Sequence, residues 1–301
     1  MQKHRRKPFF KRRRYKPMTT RTLSIRDLAV FEFLWLWKVA TSQMLAQFAF
    51  KGKSQWWIYK ALKRLEKENL ILRLPRSRNI DQELWTLTEH GFEIFLMDRD
   101  DIKSYRYRVH APSHDFLATC LQLGDYWLTE VDKTYLTEQM LASLAPSNFP
   151  KEMREVPEHV PDGITTFNGG IKKATVGYEV DLNLKDDERY VFTQRYYNSV
   201  NPALVVWLVK NEWIAKRIRA ACEQEWSTTE MREKIVFVLV DDFKKGVWGA
   251  QVISGKYKGV SLLKLHANVV QSVGKALPNS MQNQMKDYFF QKYKSPQKLV
   301  A

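Results

Sequence analysis

Two cysteines in 301 residues, Cys120 and Cys222, are too few for a disulfide scaffold and too far apart for a thiolate zinc site. Both read instead as helix core residues. The apolar runs Trp35-Leu36-Trp37 and Leu204–Val209 are far too short to cross a bilayer. Also missing are a glycine-rich phosphate loop, a GxSxG elbow and a pair of histidines flanking one apolar residue. Their absence leaves P-loop nucleotide hydrolysis, serine hydrolysis and HUH-type relaxation without a carrier. Residues 1–16 lack acids altogether while holding nine lysines and arginines, more than half of the chain's net charge of +16. No apolar segment follows those charges, so they do not form a secretory signal, and the cytoplasm is the expected compartment.

What is present is positive charge on a body long enough for two cores. The surplus suggests a polyanionic partner, nucleic acid first. A disordered basic arm is expected over residues 1–22, with Phe9, Phe10 and Tyr15 interleaved for stacking on unpaired bases.

Over residues 23–100, capping residues and apolar spacing predict helix, helix, helix, hairpin, helix. Ser24 opens a helix to about Lys38 with Leu28, Phe31, Leu34 and Trp35 on one face. Thr41 or Ser42 opens a short second helix. After the turn Lys51-Gly52-Lys53, Ser54 opens a third to about Asn69, where Ile58, Leu62 and Leu65 repeat at helical spacing. Strands are expected at Leu70–Leu74 and Glu83–Leu87 around a basic loop, and Thr88 caps a last helix. This is the order of a winged helix-turn-helix. Burying Ile58, Leu62 and Leu65 turns Gln55, Trp56, Tyr59, Lys60 and Lys63 outward, a face suited to a major groove. Arg73, Arg76 and Arg78 on the wing suit backbone or an adjacent minor groove.

Residues 108–245 carry the chemistry. His114–Leu128 is an amphipathic helix. Val160–Phe167 and Ala174–Leu182 read as a hairpin about Asn168-Gly169-Gly170. Glu179 and Asp181 are two apart and share a face, and antiparallel pairing brings Asp162 toward them. Three mutually repelling carboxylates suit a hard divalent cation, Mg²⁺ or Mn²⁺, which can activate water or stabilise a phosphodiester transition state. A short helix or turn follows at Tyr190–Ser199. Then come a buried strand at Ala203–Val209, a helix from Asn211 or Glu212 to Trp226, and a second buried strand at Lys234–Val240. Residues 246–301 form an extension without an expected role.

Pro161-Asp162 followed by Glu179-Val180-Asp181 resembles the PD-(D/E)xK nuclease superfamily, with Asp181 at the lysine position. The element order is similar to that superfamily's αβββαβ core, its first strand poorly visible here. Gln194 and Tyr197 resemble the Gln and Tyr that RecB-like members carry on the following helix. By that resemblance, Arg195 or Lys185 replaces the missing lysine, and His114 or Asp115 adds a group facing the metal. Tyr196 or Tyr197 would be a nucleophile only in a covalent mechanism. A winged helix joined to such a domain resembles the replication-relaxation family of mobile elements, including the MOBC mobilisation relaxases of bacteria. The resemblance spans about residues 25–240.

It implies a mixed α/β chain, a winged helix-turn-helix followed by a PD-(D/E)xK domain. Its activity would be metal-dependent DNA nicking in plasmid or mobile-element mobilisation or replication, with Asp162, Glu179 and Asp181 as metal ligands and Gln194 and Arg195 beside them. The expected partner is double-stranded DNA, with single-stranded segments and accessory mobilisation or replication proteins as further candidates. No membrane is expected, and a palindromic site would call for a homodimer. A regulator of transcription or replication with a catalytically silent nuclease fold is the alternative.

Overall fold

A computed structural model describes residues 23–75, 83–97, 109, 111–126, 133–143, 159–223, 225, 229–246 and 249–274. The basic arm at 1–22, the wing arginines Arg76 and Arg78, and residues 275–301 lie outside the described residues.

The chain opens with α1 (Ile25–Trp37), whose N-terminus is closed by a reciprocal capping box between Ser24 and Asp27. A two-residue strand β1 (Ala40–Thr41) leads to α2 (Ser42–Phe48), and Ser54 caps α3 (Gln55–Lys67) through the Trp57 N–H. Strands β2 (Ile71–Leu74) and β3 (Leu84–Leu87) precede α4 (Glu89–Leu96), capped by Thr88. The three strands form an antiparallel sheet in the order β1-β3-β2. The expected helices and hairpin are all present, whereas β1 is too short to leave a sequence pattern. Leu28 was expected on the apolar face of α1 but is exposed; Val30, Phe33 and Trp37 are buried in its place. Asp27, itself buried, also ion-pairs with Arg64 of α3, fixing that helix against α1.

The second half begins with α5 (Pro112–Tyr126), β4 (Lys133–Thr137) and α6 (Glu138–Ser143). The hairpin is β5 (Gly163–Asn168) and β6 (Lys173–Asp181), in antiparallel register with Gly163 opposite Tyr178. Next come α7 (Asp187–Val200), β7 (Leu204–Val209), α8 (Glu212–Cys222), α9 (Thr229–Lys234), β8 (Ile235–Leu239), α10 (Val240–Lys245) and α11 (Leu262–Ser272). The five strands lie in the order β4-β5-β6-β7-β8, antiparallel from β4 to β6 and parallel from β6 to β8. The short helix or turn expected at Tyr190–Ser199 is the helix α7, which begins three residues earlier.

Helices cover both faces of this sheet, which is why β7 reads as an unbroken apolar run, Leu-Val-Val-Trp-Leu-Val. On one side, α5, α10 and α11 bury Leu117, Leu121, Phe243 and Leu265 against Val176, Tyr178 and Val206. On the other, α7, α8 and α9 bury Tyr190, Tyr197, Ile214 and Met231 against Val205, Trp207 and Phe237. Cys120 and Cys222 are buried free thiols on α5 and α8, as core residues should be. Helix α1 packs on α5 and α6, and Trp37 meets Tyr135 edge to face with ring centroids 6.0 Å apart. The apolar core therefore runs unbroken between the two halves.

Beyond β8, Val252 and Gln251 make single bridges to Val238 and Ser261, and α11 lies against the back of β6. There the Tyr178 ring stacks on His266, and its hydroxyl meets His266 Nε2 at 3.2 Å.

Candidate active site

Alternation along β6 sorts its side chains between the two layers. Tyr178 and Val180 enter the α5 side, leaving Gly177, Glu179 and Asp181 on the α7 side. Glu179 and Asp181 are both fully buried. Asp162 lies in the bend just before β5, one residue beyond the Gly163–Tyr178 pair, and so at the same end of the sheet. All three acids thus gather at the carboxyl end of β6, yet each has its own partners.

Asp162 accepts the Val180 N–H at 2.6 Å and faces His114 Nε2 of α5 at 3.2 Å. Burial alone would raise its pKa, but the charges of His114 and Lys185 and the Val180 N–H outweigh it and hold the carboxyl below its usual range. The effect on His114 is reciprocal. Burial works to discharge the ring, while Asp162 and Asp115 overcome it and push the pKa up to about 11.

Glu179 is held from the α7 side. His159 Nε2 lies 2.7 Å from Oε1, and the Tyr197 hydroxyl donates to the same oxygen at 2.8 Å. The Thr193 hydroxyl donates to the Arg189 carbonyl, so at 3.2 Å from His159 Nδ1 it is left to accept. Both ring nitrogens then donate, an imidazolium arrangement. His159 accordingly has a raised pKa: burial opposes the charge, and Glu179 and Asp162 more than compensate. Gly177 makes the tyrosine contact feasible, because a Cβ there would sit 2.4 Å from the Tyr197 ring. Burial, with Glu179 next to it, keeps the Tyr197 phenol protonated well above its ordinary range, and burial does the same for Tyr196. Neither tyrosine is poised as a nucleophile.

Asp181 is the least settled of the three. Neither of its oxygens accepts a hydrogen bond of good geometry among the described residues, although Lys185 Nζ approaches Oδ1 to 2.6 Å as an ion pair. Burial raises its pKa to about 6, with Glu179 and Asp162 adding repulsion and Lys185 opposing it. The Lys185 ammonium loses solvation on burial, but Asp181, Asp162 and Glu179 in that order restore its charge, and its pKa is raised. Lys185 thus pairs with Asp181 directly and is influenced by the other two acids at longer range.

A wholly buried carboxylate whose one close partner is the Lys185 ammonium, flanked by two more acids, has the donor chemistry of a hard divalent cation site. The side chains are not converged on one: among the described residues, no group of three or more His, Cys, Asp and Glu is placed to hold a metal ion. Lys185 Nζ occupies one oxygen of Asp181.

The remaining expected residues sit elsewhere. Arg195 spends its guanidinium on Glu225 in a bidentate pair at 3.0 and 2.9 Å, so Lys185 is the cation at the acids. Gln194 is buried and donates to Asn198 along α7. His159 has no partner at short spacing in the sequence, and only folding brings it to Glu179. On α3, Gln55, Trp56, Tyr59 and Lys60 are exposed, and Lys63 is half-buried and paired with Glu66 at 2.8 Å. Lys60 Nζ lies 3.8 Å over the Trp56 ring. Trp56, Lys60 and Lys63 border a groove of about 810 Å³ with Trp57, Arg64 and Lys67. Arg73 is held by Glu83 at 2.9 Å and Glu66 at 3.7 Å, beside the Trp85 ring. Near the acids, a cleft of about 580 Å³ opens at the carboxyl ends of β6, β7 and β8, bordered by His114, Asn183, Lys210 and Lys244. No helix among the described residues is long and apolar enough to cross a membrane. No protein-family model matches the chain, and no curated protein matches it significantly.

Proposed function

We propose that the chain is a DNA-binding protein with metal-dependent phosphodiester-cleaving activity, its first half a winged helix-turn-helix and its second a PD-(D/E)xK-like nuclease domain. The observation that carries this reading is the gathering of three largely buried carboxylates, Asp162, Glu179 and Asp181, at the carboxyl end of β6. Buried acids repel one another and are costly to keep without a catalytic or cation-binding return.

Supporting it further, β4 supplies a strand that the sequence hid, and apart from α6, which is interposed between β4 and β5, the succession α5, β4, β5, β6, α7, β7 resembles an αβββαβ order. The adjoining cleft lies outside the carboxyl ends of parallel strands, where open α/β sheets bind ligands, and its bordering lysines suit a phosphate backbone. Exposed Trp56, Tyr59 and Lys60 on α3 suit contact with bases and phosphates.

In this mechanism Asp162, Glu179 and Asp181 would hold Mg²⁺ or Mn²⁺, once Lys185 releases Asp181. A bound divalent ion supplies Lewis-acid stabilisation of a phosphodiester and an activated water. Val180 N–H and His114 keep Asp162 ionised and aimed. His159 and Tyr197 fix the Glu179 carboxylate. Lys185, once displaced, sits within reach to offset charge on a phosphate oxygen.

One observation favours a second reading, a catalytically silent DNA-binding regulator: each acid already has a cationic partner in His114, His159 or Lys185. Incubating the purified protein with supercoiled plasmid and Mn²⁺ separates the two. Nicked product is expected from wild type and not from Asp162→Asn or Glu179→Gln, all three binding DNA alike. Cleavage equal in all three, or absent from wild type, removes the enzymatic reading.

A further inference from the structure

Lys38 belongs to the first half of the chain but points into the second. It ends α1 with φ +61° and ψ −41°, a sparsely populated conformation for a residue with a Cβ, and it is almost wholly buried. Buried lysines are rare unless paired. Lys38 Nζ lies 2.6 Å from Glu138 of α6 and 3.7 Å from Asp115 of α5. Asp115 Oδ1 stands 3.5 Å from His114 Nδ1, and the other nitrogen of that ring faces Asp162 at 3.2 Å. A continuous line of alternating charge therefore runs Glu138, Lys38, Asp115, His114, Asp162, and ends on the Val180 N–H between Glu179 and Asp181. Lys38, Asp115, Glu138 and Asp162 also border one small polar cavity of about 20 Å³.

We infer that Lys38 is a positioning residue for the acid site: by neutralising Asp115 and Glu138 it leaves His114 turned toward Asp162. Without it, buried Asp115 and half-buried Glu138 lose their shared ammonium, and the His114 ring is drawn to Asp115. The inference rests on the metal-site reading for its catalytic meaning, and on the charge line alone for its physical content.

The test is chosen by sign. Removing a positive charge near an acid site should, by Coulomb's law alone, tighten cation binding. Loss of positioning does the opposite. Calorimetric titration of the full chain with Mn²⁺ should show Lys38→Met binding at least tenfold more weakly than wild type, Lys38→Arg recovering most of the loss, and DNA affinity within twofold throughout. Tighter or unchanged Mn²⁺ binding by Lys38→Met overturns the inference, as does a parallel loss of DNA and Mn²⁺ binding.

A second measurement needs no metal. In urea unfolding, the cycle of Lys38→Met with Asp162→Asn should be non-additive by at least fivefold in the folding equilibrium, and additive once His114→Gln is introduced. Additivity from the start, or coupling that survives the loss of His114, sinks the proposal. A wild type that binds no Mn²⁺ ends the metal reading, and the cycle then decides the role of Lys38.

Discussion

Helix α3 and the end of β6 both carry charge beside aromatic rings, with opposite consequences. On α3 the cations are outward, and Trp56 and Tyr59 are more than half exposed. Charge there costs little and is available to a partner. At β6 the charges are inside, where each acid needs a named counter-group and several pKa values move. The same residue types give an exposed cationic surface in one place and a buried cluster of mutually repelling acids in the other. Solvent makes the difference.

Breaking the buried side of that comparison should have the largest effect. Lys185→Ala leaves Asp181 without its ion-pair partner beside Glu179 and Asp162, and is expected to cost about 3 kcal/mol at pH 8. The pH dependence has a definite sign. The folded pKa of Asp181, about 6, lies above its ordinary 3.8, so folding disfavours its charged form. Its contribution to stability is full below pH 3.8 and falls away as the pH climbs through 6. The variant should therefore lose much less at pH 5 than at pH 8, as urea unfolding at the two pH values would show. An equal loss at both would mean that Lys185 acts through packing.

A smaller effect is expected at Gly177. A methyl group there collides with the Tyr197 ring, and Gly177→Ala should cost about 2 kcal/mol in chemical denaturation while loosening the hydrogen bond to Glu179. Smallest for stability is the surface of α3. Lys60→Glu with Lys63→Glu should change the unfolding free energy by no more than about 0.5 kcal/mol. The pair should nevertheless weaken DNA binding at least tenfold and reduce the salt slope by about 2, measurable by fluorescence anisotropy. Retained affinity would move the nucleic-acid surface away from α3.

Much of this was readable in the sequence, because its signals are local. Ser24, Ser54 and Thr88 each accept the backbone bond expected of a cap. Ile58, Leu62 and Leu65 bury one face of α3, and the apolar runs of β7 and β8 mark strands covered on both sides. Glu179 and Asp181 share a face because strand side chains alternate. What escaped was set by distance along the chain. His114 meets Asp162 across 48 residues and Lys38 meets Glu138 across 100, pairings without local spacing. The start of α7 was hidden in Asp186-Asp187-Glu188, a charged stretch with no apolar period, although acids suit a first helical turn. Strand β4, Lys-Thr-Tyr-Leu-Thr, is an edge strand paired only with β5 and has too little apolar content to stand out. Arg195 lies beside Tyr196 in sequence, but its side chain leaves the sheet for Glu225.

The stacking of Tyr178 on His266 gives the last described helix a reason to exist. His266 Nδ1 lies 2.8 Å from the Leu262 carbonyl, so that nitrogen carries the proton and Nε2 is free to accept from the phenol. The strand that bears the acids is thus gripped from behind by a residue nearly ninety positions downstream. A chain cut short before Leu262 would bare the Tyr178 ring to water and leave only α5 and α10 to back the strand that bears the acids.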